Sequence, residues 1–326
     1  MAQAQAPDAT PALRIGIEIA QSATRVTLIA APDPSARRWH ARFAAPPTPG
    51  ELIAELRSLI ARARADLAWP DGDAPAVGIA FWAAVDAEQG IVRDARLGQA
   101  WPGFPLAARL EDALRARVRL ETGTAAAALA EWRQGAGQGS RALLYVHNGR
   151  TITSAVVADG VLVPDAAGAG GMLGHMRIAP DGPRCACGGS GHLDPVASAQ
   201  ALVRTMIGRA ADSDESTAAM LAISGGRAEA MTAAQVVALA ARGDAIAAGI
   251  VGEAIAALAL ALANAAAVIG PDRIVIGGPL VEAGEAFFAP LKRQFAALVK
   301  MYQRCAFIVP GALEPQAALL GTLALM

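Results

Sequence analysis

The chain has 326 residues, with 28 basic against 29 acidic side chains and a formal net charge of −1, so no overall field draws it to nucleic acid or to an anionic membrane. Hydrophobic residues make up 54% and charged ones 17%, which excludes a disordered chain and, at about 150 residues per domain, leaves material for two buried cores. The 3 cysteines, Cys185, Cys187 and Cys305, form no disulfide framework and suit a reducing cytoplasm, and the opening MAQAQAPDATPALRI has neither a basic region nor an apolar run that would predict secretion.

The run LRIGIEIAQSATRVTLIA, from Leu13, places two β-rich segments around a polar turn at Gln21 to Thr24 and reads as a hairpin. A third strand is expected at Trp39 to Phe43. Arg37, Arg38 and Arg42 beside it are the nearest approach to a basic patch, and they read as an exposed strand rather than a nucleic-acid face. Thr48 opens a helix, with Pro49 in its first turn and Leu52, Ile53, Leu56 and Ile60 at helical spacing. AVGIAF, Ala76 to Phe81, is a buried strand. A helix from Leu106 to Ala116 leads into a short strand, Val118 to Leu120, and then a helix from Thr124 to Trp132. Strands at Ala142 to Val146 and Ile152 to Val157, followed by the turn Ala158-Asp159-Gly160, repeat the opening of the first half and suggest an internal duplication of one α/β unit.

The chain then becomes helical: Val196 to Ala210, Ser216 to Ser224, Thr232 to Ala241 and Asp244 to Ile269. The most apolar stretch, Ala254 to Ile269, is broken by Asn264 and preceded by Glu253. It falls short of the ~18 uninterrupted apolar residues of a spanning helix and reads as a core helix, so no membrane partner is expected. A strand Arg273 to Ile276 ends in Gly277-Gly278, a helix follows to Lys300, and a strand Phe307 to Val309 precedes a last helix from Pro315. Cys305 reads as a buried small hydrophobe, and His40 and His147 as strand or surface residues. Asp212, Asp214 and Glu215 read as a solvated helix start capped by Ser213 or Ser216.

The richest segment is GAGGMLGHMRIAPDGPRCACGGSGHLDPVAS, from Gly168 to Ser198. Thiolate and imidazole are the usual ligands of structural zinc, and His175, Cys185, Cys187 and His192 would close a tetrahedron; two buried thiols beside two surface histidines is the other reading. Gly188, Gly189 and Gly191 let a short loop turn back on the metal.

The wider string resembles the signature of the ROK family (repressor, open reading frame, kinase), in which Gly-Glu-x-Gly-His precedes Cys-x-Cys-Gly-x-x-Gly-Cys-Leu-Glu. Trp101-Pro102-Gly103-Phe104-Pro105-Leu106, Ile274-Val275-Ile276-Gly277-Gly278 and Gln316-Ala317-Ala318-Leu319-Leu320-Gly321 resemble further landmarks of that family in the same order. The resemblance implies an α/β, two-lobed actin-like or hexokinase-like (ribonuclease H-like) fold with duplicated α/β units. Residues 1–122 would form the N-terminal lobe, with a closing segment 313–326 packed back on it, and 123–312 the C-terminal lobe. It also implies a structural zinc held by His175, Cys185, Cys187 and His192, with His192 at the family's third cysteine position, and a homo-oligomer.

The same resemblance shows where family chemistry is missing. The family's Asp-x-Gly-Gly-Thr phosphate turn is Glu18-Ile19-Ala20-Gln21-Ser22 here, and its Gly-Thr-Gly-x-Gly loop is Gly149-Arg150-Thr151-Ile152-Thr153. Its Glu-Asn-Asp-Ala-Asn turn, which supplies the general base for phosphoryl transfer, is Glu121-Thr122-Gly123-Thr124-Ala125, so Gly123 occupies the place of the base and no catalytic residue is assigned. Two sugar-binding glutamates are replaced by Met172 and Asp194. Thr122, Gly123, His175 and Asp194 remain the candidate ligand-binding residues, and Gly277 and Gly278 the candidate cofactor-binding ones. The resemblance implies ATP and magnesium as co-substrates, and the altered loops weigh against them. The expected function is that of a non-phosphorylating binding or regulatory protein for a small, sugar-like molecule. The alternative is an ATP-dependent sugar kinase (hexose or N-acylhexosamine) with a displaced base, in which Glu18 and Glu121 coordinate magnesium. A repressor, the family's other occupation, is not expected, because too few residues precede Ile15 for a helix-turn-helix head.

Overall fold

The computed structural model describes residues 14–20, 25–31, 37–69, 74–93, 100–164, 171–299 and 307–326. Among these, residues 14–126 and 318–326 form one compact unit, and residues 127–164 and 171–317 a second. The turn expected at Gln21 to Thr24 and Cys305 lie outside the described residues.

In the first unit, β1 (Arg14–Ile19), β2 (Arg25–Ala30) and β3 (Trp39–Arg42) are antiparallel neighbours, while β4 (Ala76–Phe81) and β7 (Arg117–Thr122) extend the sheet in parallel from β1. All six residues of β4 are buried, as its unbroken apolar sequence requires of a strand covered on both faces. Helix α1 (Pro49–Asp66) starts where the sequence says: Thr48 accepts from the Glu51 amide at 3.3 Å, and the Glu51 carboxylate accepts from the Thr48 amide at 2.7 Å. Its apolar stripe, Leu52, Leu56, Leu59 and Ile60, enters the core. Helix α2 (Leu106–Leu114) precedes β7, and two short strands, β5 (Val85–Asp86) and β6 (Ile91–Val92), pair beside it. These two were not expected from the sequence, where two-residue pairings carry no period. Trp39 is a correction to the exposed-strand reading. Its ring is buried, its Nε1 donates to the Asp66 carboxylate at 2.8 Å, and Arg37 donates to the Asp66 carbonyl at 2.8 Å.

Helix α3 (Gly123–Gln134) leads into the second unit. There β8 (Ala142–Asn148), β9 (Ile152–Ala158) and β10 (Val161–Leu162) are again antiparallel, and β11 (Arg273–Gly277) and β12 (Phe307–Pro310) again extend the sheet in parallel. The strand orders β3-β2-β1-β4-β7 and β10-β9-β8-β11-β12 are the same topology twice. The helical insert is α4 (Asp194–Ala197), α5 (Ala199–Ala210), α6 (Asp214–Ile223), α7 (Ala233–Ala241) and α8 (Ala245–Ile269). The helix expected to run unbroken from Val196 is interrupted at Ser198, whose extended backbone ends α4 and whose hydroxyl caps α5 at Ala201. Ser213 caps α6, Thr232 α7 and Asp244 α8.

The apolar helix α8 runs 25 residues, further toward its N-terminus than the stretch first singled out, and its length and composition alone would suffice to cross a membrane. Half of its most apolar window is buried inside the unit, and α7 and α9 (Glu285–Leu298) pack against it. The last helix, α10 (Ala317–Thr322), starts two residues later than expected.

The end of α10 sits on β1 and β4 at a point the sequence prepares. Gly16 and Gly78 are direct partners in register, and a Cβ on either would overlap Thr322, which is fully buried. The paired absence of side chains makes the slot. We expect Gly78→Ala to destabilise the chain by about 1–3 kcal/mol, read from denaturant unfolding, because the added methyl would press on the Thr322 carbonyl backbone, which cannot rotate away.

Candidate metal centre and ligand site

The chain between β10 and α4 folds as a knuckle. A short 3-10 turn, Leu173–His175, presents the first imidazole. Arg177 and His192 then pair as an isolated antiparallel bridge, as do Arg184 and Ser190, so the loop doubles back on itself. Inside it the Cys185 amide donates to the Gly189 carbonyl at 2.8 Å and the Gly188 amide to the Cys185 carbonyl at 3.0 Å. Gly191 is required: it has φ of 72°, and a Cβ there would overlap the Ala179 carbonyl oxygen.

This fold brings together all four residues singled out as metal ligands. One donor atom from each of His175, Cys185, Cys187 and His192 lies within 4.8 Å of the others. Cys185 Sγ is 3.5 Å from His175 Nδ1, and Cys187 Sγ is 3.3 Å from His192 Nδ1. A tetrahedron with zinc–sulfur and zinc–nitrogen bonds of ordinary length has edges of about 3.3–3.8 Å, which the two sulfur–nitrogen edges match, and the donor set of two thiols and two imidazoles is one that zinc takes. Two thiolates would balance the charge of such an ion, and four protein ligands would fill a tetrahedral shell.

Asp194 follows the knuckle directly and is buried. Its Oδ1 accepts from the Ile152 amide at 2.6 Å, which pins the start of β9 to the metal loop. Gly174 keeps that carboxylate close, since a Cβ there would overlap Oδ1. Burial raises the pKa of Asp194, and the Ile152 amide and the two ligand histidines oppose the rise. Met172, where the family has glutamate, is 51% exposed.

Thr122 and Gly123 belong to the first unit. Thr122 closes β7 and its hydroxyl accepts from the Ala125 amide at 3.2 Å, so it caps α3. At Gly123 a Cβ would find Ala318 Cβ at 3.9 Å as its single near neighbour among the described residues, an ordinary van der Waals contact. Glu121 is half-buried, and its carboxylate accepts from the Thr122 amide at 3.3 Å. Burial raises its pKa, with the Thr122 amide a smaller opposing influence. Of the altered phosphate turn, Glu18 closes into β1 and pairs with Thr27 and Ala80, while Gln21 and Ser22 lie outside the described residues.

In the second unit, Gly149-Arg150-Thr151 is a tight turn between β8 and β9, with the Gly149 amide donating to the Thr151 carbonyl at 3.2 Å and Arg150 exposed. Gly277 and Gly278 stand at the end of β11. Gly278 has φ of 93°, and a Cβ there would press on the Asn148 carbonyl. Three residues that sequence reasoning passed over gather around this turn. Tyr145, fully buried in β8, donates its hydroxyl to Glu314 Oε1 at 2.8 Å. The Gly278 amide donates to the same oxygen at 2.9 Å. Glu131, buried in α3, accepts from the Ala136 amide at 2.7 Å and from the Leu313 amide at 2.9 Å, fixing the loop that carries Glu314. Burial and then the two carboxylates hold the Tyr145 hydroxyl well above its ordinary pKa. His147, read as an isolated strand residue, has Nδ1 3.9 Å from Glu314 Oε1; burial lowers its pKa and Glu314 opposes the shift. The signal available beforehand was a tyrosine in the middle of the apolar strand ALLYVHN, since a buried hydroxyl needs a partner.

The sequence of residues 14–326 matches the model of the ROK family, and the chain belongs to that family. It is 33% identical over 198 residues to a glucokinase of Halalkalibacterium halodurans, covering 60% of this chain and 59% of that protein. It is 35% identical over 225 residues to a glucokinase of Thermotoga maritima, covering 69% and 70%. A ROK family glucokinase from Streptomyces griseus, solved in complex with glucose and AMPPNP, superposes with a TM-score of 0.76 at 26% identity, over 96% of this chain and 98% of that one. The fold is the actin-like, hexokinase-like α/β fold expected.

Metal analysis of the purified protein should find one zinc per chain. Cys187→Ser should lose it and melt at lower temperature, whereas His192→Cys, which completes the family's ligand set, should keep it. A second test concerns Glu121. A carboxyl whose folded pKa is raised stabilises the fold below its unfolded pKa, and that contribution is lost as pH rises through the folded value. Glu121→Gln should therefore gain stability relative to wild type as pH rises from acid to neutral, measured by denaturant unfolding at each pH.

Proposed function

We propose that this ROK protein binds a small sugar-like molecule and does not transfer phosphate to it. The observation that carries the reading is Gly123. It stands at the β7–α3 junction, where the resemblance places the family's proton acceptor, and it offers no functional group, although a Cβ there would meet nothing closer than Ala318 Cβ at 3.9 Å among the described residues. A sugar hydroxyl attacking a phosphoryl group must lose its proton to a positioned base. Glu121, two residues back along an extended strand, is displaced by about 7 Å from that place. The ligand contacts are thinned in the same direction: Met172 brings no hydrogen-bonding group, and one oxygen of Asp194 is committed to the Ile152 amide. Each lost partner removes roughly 1–3 kcal/mol of discrimination for a polyhydroxylated ligand, which points to a less polar one. Zinc at the knuckle would hold His175 and the loop in place.

A second reading, an ATP-dependent sugar kinase using Glu121 as a displaced base, has its own support. The relatives named above are glucokinases, and the names of those proteins favour catalysis over its loss. Burial also moves the Glu121 carboxyl toward the range in which a general base works near neutral pH. The experiment that separates the two is a coupled assay of ADP release with Mg-ATP and a panel of hexoses and N-acylhexosamines. The expected result is no turnover above background, together with a saturable thermal shift from at least one sugar of the panel. Turnover that Glu121→Gln abolishes would replace the first reading with the second.

A further inference from the structure

In an open α/β sheet, ligands bind outside the carboxyl ends of the parallel strands, at the point where chain connections diverge to either side. In the second unit that point lies beside β8, which has β9 on one flank and β11 on the other. Three carboxyl ends lie there: that of β8, with His147 beside it and Tyr145 further back in the strand, Gly277-Gly278 after β11, and the loop carrying Glu314 after β12. Glu314 Oε1 takes a hydrogen bond from the Gly278 amide at 2.9 Å and another from the Tyr145 hydroxyl at 2.8 Å. The turn is shaped around this oxygen. A Cβ on Gly277 would overlap both Glu314 Oε1 and the Tyr145 hydroxyl. The amide that a glycine turn offers to an incoming anion therefore already serves an anion belonging to the chain.

We propose that Glu314 is a specificity determinant that keeps nucleoside polyphosphates off the Gly277-Gly278 turn and leaves the turn to the uncharged nucleoside. The inference rests on Gly277-Gly278 being the nucleotide side of the site, and it deepens the proposal that phosphate is not transferred. An incoming phosphate must either pull Glu314 from two donors or lie against its charge in a partly dehydrated setting. A ribose hydroxyl or an exocyclic amine instead finds an acceptor already in place. The arginine of the neighbouring Gly149-Arg150-Thr151 turn is exposed and draws anions only weakly through water.

The test is calorimetric titration of the full, zinc-loaded chain with Mg-ATP and with adenosine, for wild type, Glu314→Gln and Tyr145→Phe. Glu314→Gln keeps an acceptor for the Gly278 amide and removes the charge; Tyr145→Phe keeps the charge and removes one of the two groups holding it. Wild type should bind adenosine about tenfold or more tighter than Mg-ATP, and Glu314→Gln should tighten Mg-ATP by about tenfold while changing adenosine by less than about threefold. Tyr145→Phe should tighten Mg-ATP by a smaller factor, and it reports even where Glu314→Gln folds poorly. An unchanged ratio of the two affinities in both variants overturns the proposal, as does wild type preferring Mg-ATP. Failure of every protein to bind either ligand overturns it together with the assignment of the turn. Sugar phosphorylation by wild type would refute the proposed function and leave this ratio as the separate measure of Glu314.

Discussion

A carboxylate withdrawn from water must be met by donors, and much of this molecule is arranged to meet that demand. Asp194 is answered by the Ile152 amide, Glu131 by the amides of Ala136 and Leu313, and Glu314 by Gly278 and Tyr145. The bonds from Ile152, Leu313, Gly278 and Tyr145 join segments far apart in sequence, and all but the Tyr145 bond fix the position of a backbone amide. The metal loop, the start of β9, the end of α3 and the loop after β12 are located relative to one another inside the second unit by these bonds as much as by apolar packing. Glu121 differs in its partner, the amide of the next residue, which orders nothing beyond the strand end; burial raises its pKa, as it does that of Asp194.

That contrast bears on function. Asp194, Glu131 and Glu314 are tied into the scaffold, and under the proposed function Gly123 and Met172 stand where a family kinase would keep an acid for substrate. A side chain already committed to a backbone amide can still accept from a ligand hydroxyl, and it has lost the freedom to follow a proton. The chain reads as a fold that retained its means of holding loops in place while the groups facing substrate changed.

How much of this was legible in the sequence depends on whether the signal was local. Thr48-Pro49 with Glu51, and the caps Thr232 and Asp244, announced helices whose starts fall where they were placed, because a cap is satisfied within four residues; α6 starts at Asp214, two residues before the expected Ser216, with Ser213, one of the two candidates, as its cap. The four residues of the candidate metal cluster were legible because they fall on one loop whose wider string resembles the family signature; their spacing alone left two buried thiols beside two histidines as an equally open reading. Ser198 was missed as a helix break because its hydroxyl caps the following helix, an outcome invisible in an apolar pattern that continues across it. Tyr145, Glu131 and Glu314 were missed because their meaning lies in pairing over long separations, which no periodicity encodes. Trp39 was taken with its arginine neighbours as surface, whereas its ring nitrogen reaches back to the end of α1.

The slot formed by Gly16 and Gly78 has a consequence for how the chain is made. The sheet containing these glycines is translated first, but the group that fills it, Thr322, comes near the end of the described chain. Its contacts there close the largest loop in the molecule, with the whole second unit lying inside that loop. Until α10 arrives, the middle of the first sheet keeps an unfilled groove over two glycines, the residues that lose most entropy when ordered. Packing over β1 and β4 thus waits for a residue synthesised long after them, so during translation the first unit should be the slower of the two to become protease-resistant.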